Sequence, residues 1–467
     1  MADESTSTGE RRGTPGLGVI LLTVFLDLVG FSIIFPLFPE MLEYYLGGVG
    51  VVSGGEELSL LGQLIYTLQS MSGASGAQSE FYTQVLFGGL LGSVYSLLTF
   101  LAAPVWGALS DRFGRRQILV WTIAGTALSY VLWVVAGSFA LLLFARVIGG
   151  LASGNISVAS AAIADVTDAR SRTKAMGMLG AAFGVGFIVG PAIGGGLSTI
   201  DLTGVLSFVP GINPFSAPAL AALVLALWNL VWVATRFPET RAPEKLKLNL
   251  KRESGEGREA RRPVNPLALL QPTRLPGVDR TNLIYLVFII AFAGMEFTLT
   301  FLARDRFAYT SSDNVYIFLW VGLLVALVQG GVVRQLAPRI GELRMVQVGF
   351  VTLGAGLLVV GVASTQTVMY LGLSLLAIGT ALASPALTSL VSLYAPEHRQ
   401  GEILGVFRSL GALGRAIAPI IASLLYWRFG STLPYVGGAL AMLLPFSLSF
   451  GLPERDVHGR AGSRGST

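Results

Sequence analysis

The chain has 467 residues, 53% hydrophobic and only 13% charged, with a net charge of +5 and no cysteine. A soluble domain averages about 45–50% apolar and about 25% charged residues, so this chain has too little charge to coat a soluble protein of its size. Disordered, disulfide-scaffold and collagen classes are excluded by the same composition, and thiolate metal sites by the missing cysteine.

Apolar runs of about 20 residues can each cross a hydrocarbon core about 30 Å thick. Six fall near 17–46, 81–110, 116–138, 140–166, 173–199 and 215–237. Six more fall near 281–303, 314–338, 343–364, 366–394, 401–427 and 431–453. Only helices that satisfy their own backbone suit such runs in lipid, so the fold class is an all-α polytopic membrane protein. The expected division is a tail 1–16, a six-helix bundle 17–237, a linker 238–280 rich in proline and charge, a second bundle 281–453 and a tail 454–467. An outer loop near 47–80 carries glycine and serine and has no assigned role. The N-terminus has acidic residues and no short apolar run, so it does not read as a cleaved signal peptide.

With both termini in the cytoplasm, the cytoplasmic segments collect 26 of the 32 Lys and Arg residues. This positive-inside asymmetry explains the basic character as topology, in a cell or inner membrane, with lipid recognition by the central loop as the rival account. No Lys or Arg occurs between Arg12 and Arg112, which a nucleic-acid surface would not produce. The string around Ile148-Gly149 recurs around Ile378-Gly379, a shift of 230 residues. Parallel repeats of this kind imply one cavity between two rocking halves.

In span 1, FLDLVGFSIIFPLFPEM places Asp27 about 15 Å from Leu17, near mid-membrane, with Pro36 and Pro39 beyond it. A mid-span acid costs about 2.5–3.5 kcal/mol on insertion scales and is functional by default, unless it is paired, here with Arg146. Between spans 2 and 3 stands GALSDRFGRR, in which Gly107 permits close approach, Asp111 can cap a helix or meet a cation, and Arg112, Arg115 and Arg116 face head groups or acids. A topogenic loop explains the same charges. Span 4 opens with Arg146 in ARVIGGLASGN, where the following glycines turn the guanidinium toward the bundle unless it snorkels. It ends at Asp165, a candidate latch for Arg115 or Arg116. Span 5 contains GVGFIVGPAIGGG, with Gly186, Gly190, Pro191 and Gly194 suited to backbone contact and a bend, or to ordinary helix packing.

Span 7 carries Glu296 beside Gly294, and span 11 places Arg408 and Arg415 seven apart on one stripe. Five ionisable groups are thus expected to face one central space, since unpaired in lipid they would cost on the order of 10–15 kcal/mol. A static salt-bridge core is the structural alternative. Asn155, Ser153 and Ser157 in span 4, Ser384 in span 10 and Gln329 in span 8 can bond substrate or glue helices. Phe297, Phe292, Phe318, Trp320 and Tyr285 can form an aromatic wall or merely pack. The two histidines, His398 and His458, fall outside the spans, so no histidine relay crosses the membrane.

Gly107 to Arg116 resembles the signature loop of the major facilitator superfamily, and Gly180 to Gly195 resembles the antiporter signature of its drug:proton branch. Asp27 to Pro39 and Arg146 to Asp165 complete a likeness to bacterial tetracycline:proton antiporters. GMEFTLTFL around Glu296 and FRSLGALGRA around Arg408 and Arg415 are similar to the animal tetracycline-transporter-like proteins. The resemblance implies two pseudo-symmetric six-helix bundles, essential roles for Asp27 and Arg146, and a cytoplasmic gate at Asp111. Ser129 stands where tetracycline exporters have an acid, which makes Glu296 the replacement candidate and separates this chain from metal–tetracycline transport.

The expected function is a monomeric secondary transporter exporting an amphipathic, drug-like organic molecule in exchange for protons, with Asp27, Glu296 and Arg146 coupling. An organic-anion transporter clamping its substrate with Arg408 and Arg415 is the alternative. A non-transporting receptor or scaffold is the third reading, and would bind ligand without flux. No nucleophile–base pair, metal-spaced cluster or nucleotide loop is visible, so neither enzyme chemistry, cofactor, metal nor ATP drive is expected.

Overall fold

The computed structural model describes residues 16–47, 60–167, 169–240, 272–275, 277–396 and 400–453. The expected tails, most of the central linker, part of the 47–80 loop, His398 and His458 lie outside the described residues.

The first half comprises α1 (Leu17–Leu46), α2 (Ala77–Phe113), α3 (Arg115–Val134), α4 (Phe139–Val166), α5 (Ala169–Leu197) and α6 (Ser216–Arg236). The second comprises α7 (Val278–Phe307), α8 (Ser311–Val333), α9 (Arg339–Val362), α10 (Gln366–Tyr394), α11 (Gln400–Phe429) and α12 (Leu433–Ser449). Eleven of these are long and apolar enough to cross a membrane. The twelfth, α12, reaches about 25 Å at 1.5 Å per residue. One surface helix, Leu60–Met71, precedes α2.

Helix ends follow local chemistry. Ser138, Thr310 and Thr365 precede α4, α8 and α10, and each hydroxyl accepts from a backbone N–H of the first turn. α7 outruns its apolar core because Arg306 donates to the carbonyls of Ala363, at 2.9 Å, and Val360. α1 bends through a 3₁₀ turn at Phe35–Leu37, where Pro36 removes a donor. The single span expected over 140–166 is interrupted. Ser153 (ψ 82°) leaves the helical region, and the break at Ser153 and Gly154 divides α4 into Phe139–Ala152 and Asn155–Val166. Trp106 lies over Gly154, where a Cβ would fall 2.5 Å from the indole, and its Nε1 donates to the Leu151 carbonyl at 2.7 Å. The indole thus satisfies a backbone acceptor at the break.

The packing shows where the halves meet. Gly16 lies against Pro238, Glu239 accepts from Arg115 and Arg116, and Arg280 donates to the Gly451 carbonyl, and the face these residues mark is here the basic face; the C-terminal ends of α1, α5, α7 and α11 fall at the far face. A core cluster at the basic face, with Ile20, Val24, Ile118, Val158 and Ile163, contains first-half residues only. The far-face cluster around Trp133, Leu42 and Phe87 also includes Phe297, Phe301 and Tyr426 of the second half. The halves are therefore cemented at the far face and separate cores at the basic face. Gly180 and Gly184 of α5, and Gly330 and Gly331 of α8, have open space beside them.

Candidate functional site

Directly below the far-face seal, a cavity of about 60 Å³ lies between the halves. Its wall contains Arg146 from α4, Glu296 from α7 and Arg415 from α11. The rings of Phe31, Phe35, Phe38, Tyr95 and Phe297 complete much of the surface. At about 10–15 Å³ per water this volume holds only a few waters, so a drug-sized molecule requires the halves to part.

Arg415 donates to Glu296 at 2.7 Å and lies over the Phe187 ring, 5.6 Å from its centroid. Phe187 stacks on Phe35 at 5.7 Å. A first-half aromatic ladder therefore touches a second-half ion pair. Arg146 is 8% exposed and has no carboxylate within ion-pair range among the described residues. It is held instead over Trp133 (5.1 Å) and Tyr95 (5.9 Å). Two cation–π contacts are worth about 1–4 kcal/mol together, comparable to the about 2.5–3.5 kcal/mol cost of a charge at mid-span.

Asp27 does not pair with Arg146. It accepts from Asn155 Nδ2 at 2.6 Å, across the α1–α4 joint. Asp27, Phe31 and Phe35 share one stripe of α1, which puts the acid about 6 Å nearer the basic face than the cavity ring of Phe31. A hydrogen bond to a charged group contributes about 1.5–3 kcal/mol, comparable to the insertion cost of the carboxylate. Modest changes in surroundings therefore decide whether this group carries a charge.

Of the five groups expected around one space, three line this cavity. Arg146, Glu296 and Arg415 line the cavity; Asp27 and Arg408 do not. Arg408 reaches across to donate to Ser160 of α4 at 2.8 Å, toward the basic face. Arg408 and Arg415 share a helix stripe, yet Arg408 meets the first half and Arg415 an acid of its own half. Gln329, expected at the substrate, is exposed in the wide helical turn Val328–Val333 and is not on the cavity wall. Asn155 bonds Asp27 rather than lining the cavity, whereas Phe297 lines it and packs against Phe38 at 5.7 Å. Tyr285 stacks on Phe407 with centroids 3.8 Å apart, and Trp320 donates to Ser374 at 3.0 Å. Ser129 is buried, with its hydroxyl donating to Thr126. Sequence reasoning missed Phe31, Phe35, Tyr95 and Phe187; the i, i+4 spacing from Asp27 was the available signal for the first two.

At the basic face, Arg115 pairs with Asp111 at 2.8 Å and with Asp165 at 2.9 Å, the contact expected of a latch. Its Nη1 also donates to Ser110 at 2.6 Å. Glu239, beyond α6, accepts from the backbone N–H groups of Arg115 (2.9 Å) and Arg116 (3.2 Å). A carboxylate at a helix N-terminus is stabilised by the free N–H groups there. Gly114 (φ 98°) leaves room for it, since a Cβ would fall 2.4 Å from the carboxylate. Arg116 donates to the Ala234 carbonyl, and Arg112 lies over Phe113. These bonds tie first-half elements to one another. Gly107 has Ser157 Oγ as its nearest neighbour at 3.4 Å, ordinary contact that a methyl would tolerate. In α5, by contrast, Gly186, Gly190 and Gly194 press on the α1 backbone, and Ser32 donates to the Gly186 carbonyl at 3.0 Å. Pro191 sits within the same helix.

The far-face seal is polar as well as apolar. Arg304 of α7 pairs with Glu43 and lies 3.6 Å from Glu40, both on α1. Ser311 donates to Glu40 through its hydroxyl (2.5 Å) and backbone (3.1 Å), and Asn314 donates to the Pro36 carbonyl at 3.1 Å.

Comparison with known proteins matches residues 20–419 to the Major Facilitator Superfamily model. The chain is 36% identical to bovine major facilitator superfamily domain-containing protein 10, over 92% of this chain and 91% of that one. It is 29% identical to the Escherichia coli class E tetracycline resistance protein, over 94% and 95%. Among solved structures it is similar to the human organic anion transporter MFSD10 (TETRAN), with a TM-score of 0.69, 30% identity and coverage of 93% and 98%. It shares its fold with a bacterial homologue of the human lysosomal transporter Spinster, with a TM-score of 0.63, 13% identity and coverage of 93% and 95%.

Proposed function

The chain belongs to the major facilitator superfamily of membrane transporters, and from that premise we propose that it moves an amphipathic organic anion by proton-coupled alternating access. One observation carries the substrate charge: the cavity wall holds two guanidiniums and one carboxylate among aromatic rings. Arg415 already has Glu296, so Arg146 is the cation left for a carboxylate, sulfonate or phosphate, and the rings suit an apolar body. The clamp is thus Arg146 with Arg415 rather than Arg408 with Arg415. The similarity to the human organic anion transporter MFSD10 supports this reading. The tetracycline resistance relatives support a drug-like substrate.

In this reading the far face is sealed and the basic face is the open side. The bundles 17–237 and 281–453 rock about the cavity as a monomer, and the segment 238–280 links them. The basic face and both termini lie in the cytoplasm, against anionic lipid. A proton on Glu296 releases Arg415 for substrate; a proton on Asp27 removes the charge in the α1–α4 joint. Each ligand biases the same two-state equilibrium.

Proteoliposomes holding the purified protein test this with a fluorescent aromatic carboxylate as probe. An imposed pH gradient drives its uptake against its own gradient in the native chain. Asp27→Asn and Glu296→Gln abolish that driving effect. Retention of gradient-driven uptake by both variants would overturn the proton assignment, and binding without flux would mark a receptor.

A further inference from the structure

The break in α4 starts its second segment at Asn155, which is 2% exposed. The amide uses only half its capacity. Nδ2 donates to Asp27 Oδ1, while Oδ1 is buried without a hydrogen-bond partner among the described residues. A buried acceptor left unpaired is costly, and such groups in native structures usually have a reason. A carboxylate has no hydrogen to offer the amide oxygen; a carboxylic acid has one.

Resting on the reading of Asp27 as a proton carrier, we propose that Asp27 and Asn155 form a proton-binding pair closed as an acid–amide ring. The incoming proton forms an O–H bond at Asp27 Oδ2 and is shared with Asn155 Oδ1, while Asn155 Nδ2 continues to donate to Asp27 Oδ1. No bond within the protein breaks, and the pair changes from charge −1 to neutral. Asn155 is a positioning residue that makes α4 sense the proton: two bonds join α1 to the second segment of α4 when the proton is present, one when it is absent. Ser160 on the same segment accepts from Arg408 of the other half, so the joint is one step from a contact between halves. The groups facing the pair are Tyr95 of α2, Tyr130 of α3 and Arg146, which lies over the Tyr95 ring. α5 meets this part of α1 with Gly186, and α6 meets it with Asn229, whose Nδ2 donates to the Thr23 carbonyl.

The test uses the full chain in proteoliposomes with the aromatic carboxylate probe. Asn155→Leu lowers pH-gradient-driven uptake about tenfold more than it lowers probe exchange without a gradient, the equivalent of one bond to a charged group. Equal losses in both assays, or none in either, would overturn the pair and leave Asn155 a helix-packing residue. Asp27→Asn in parallel separates the two ideas: if it too retains gradient-driven uptake, the wider proton assignment falls, not only the role of Asn155. Infrared difference spectra of the native chain between acid and neutral pH need no variant at Asn155. The carboxylic C=O band that Asp27→Asn removes is expected at a hydrogen-bonded frequency, with an accompanying amide band. A band at the frequency of an isolated carboxylic acid would overturn the ring.

Discussion

The two carboxylates near mid-membrane sit in opposite settings. Asp27, in the first half, faces a neutral amide at 2.6 Å and lies off the cavity wall. Glu296, in the second half, faces a guanidinium at 2.7 Å and lies on it. Neutralising the first removes a charge that nothing nearby requires. Neutralising the second sets a cation free at the place where substrate would sit. The difference assigns separate tasks: the first-half acid senses protons and passes the change to a broken helix, while the second-half acid competes with the anion. The repeat sharpens this contrast. The shift of 230 residues carries Asn155 onto Pro385 in α10, a helix that runs unbroken over Gln366–Tyr394. Only the first-half copy has the interruption and the amide.

Removing the cation that lacks a carboxylate breaks the comparison most severely. Arg146→Leu is expected to weaken binding of an aromatic carboxylate about 100-fold, near the upper range for a charge-assisted bond, and to leave a neutral analogue of the same shape unchanged. Calorimetric titration of the purified protein measures both. Equal loss for the two ligands would make Arg146 a structural residue. The two acids then give different responses. Glu296→Gln frees Arg415 and is expected to tighten binding of the same carboxylate about tenfold, whereas Asp27→Asn leaves binding within about twofold. Tightening by both, or by neither, would mean that the acids share one environment.

Much of this was legible because charge inside an apolar run is conspicuous. Asp27, Arg146, Glu296 and Arg415 stand out in spans that otherwise contain almost nothing ionisable, and the spans follow from hydropathy alone. What the linear pattern lacks is the neighbour. Arg408 and Arg415 share a stripe, yet one meets Ser160 and the other Glu296, because helix periodicity gives a face and not the element opposite it. The interruption at Ser153 and Gly154 was hidden because its flanks are as apolar as any span; the cluster Ser-Gly-Asn was the trace it left. The cavity rings were indistinguishable from packing residues, since Phe serves both purposes in a membrane helix. The far-face seal was invisible for another reason: Arg304 meets Glu40 and Glu43 across more than 250 positions of chain.

That seal gives the smallest and most diagnostic effect. Arg304 is 27% exposed in its side chain, and Glu40 and Glu43 are 27% and 55% exposed, so the pairs are screened and worth about 0.2–1 kcal/mol. After Arg304→Gln, Ser311 and Asn314 still hold α1, and Phe38 still packs on Phe297. The apolar seal therefore survives, and the balance between far-face-closed and far-face-open forms should move only about fivefold at most, the Boltzmann equivalent of 1 kcal/mol. The native chain has no cysteine, so a single thiol reports without background. Ser96→Cys exchanges one small side chain for another on the cavity wall. Its labelling by a membrane-impermeant maleimide from the far side should quicken up to about fivefold when Arg304→Gln is added. An unchanged rate would show that the rings alone close the far face, and a much larger rise would show that the ion pairs, not the rings, keep it shut.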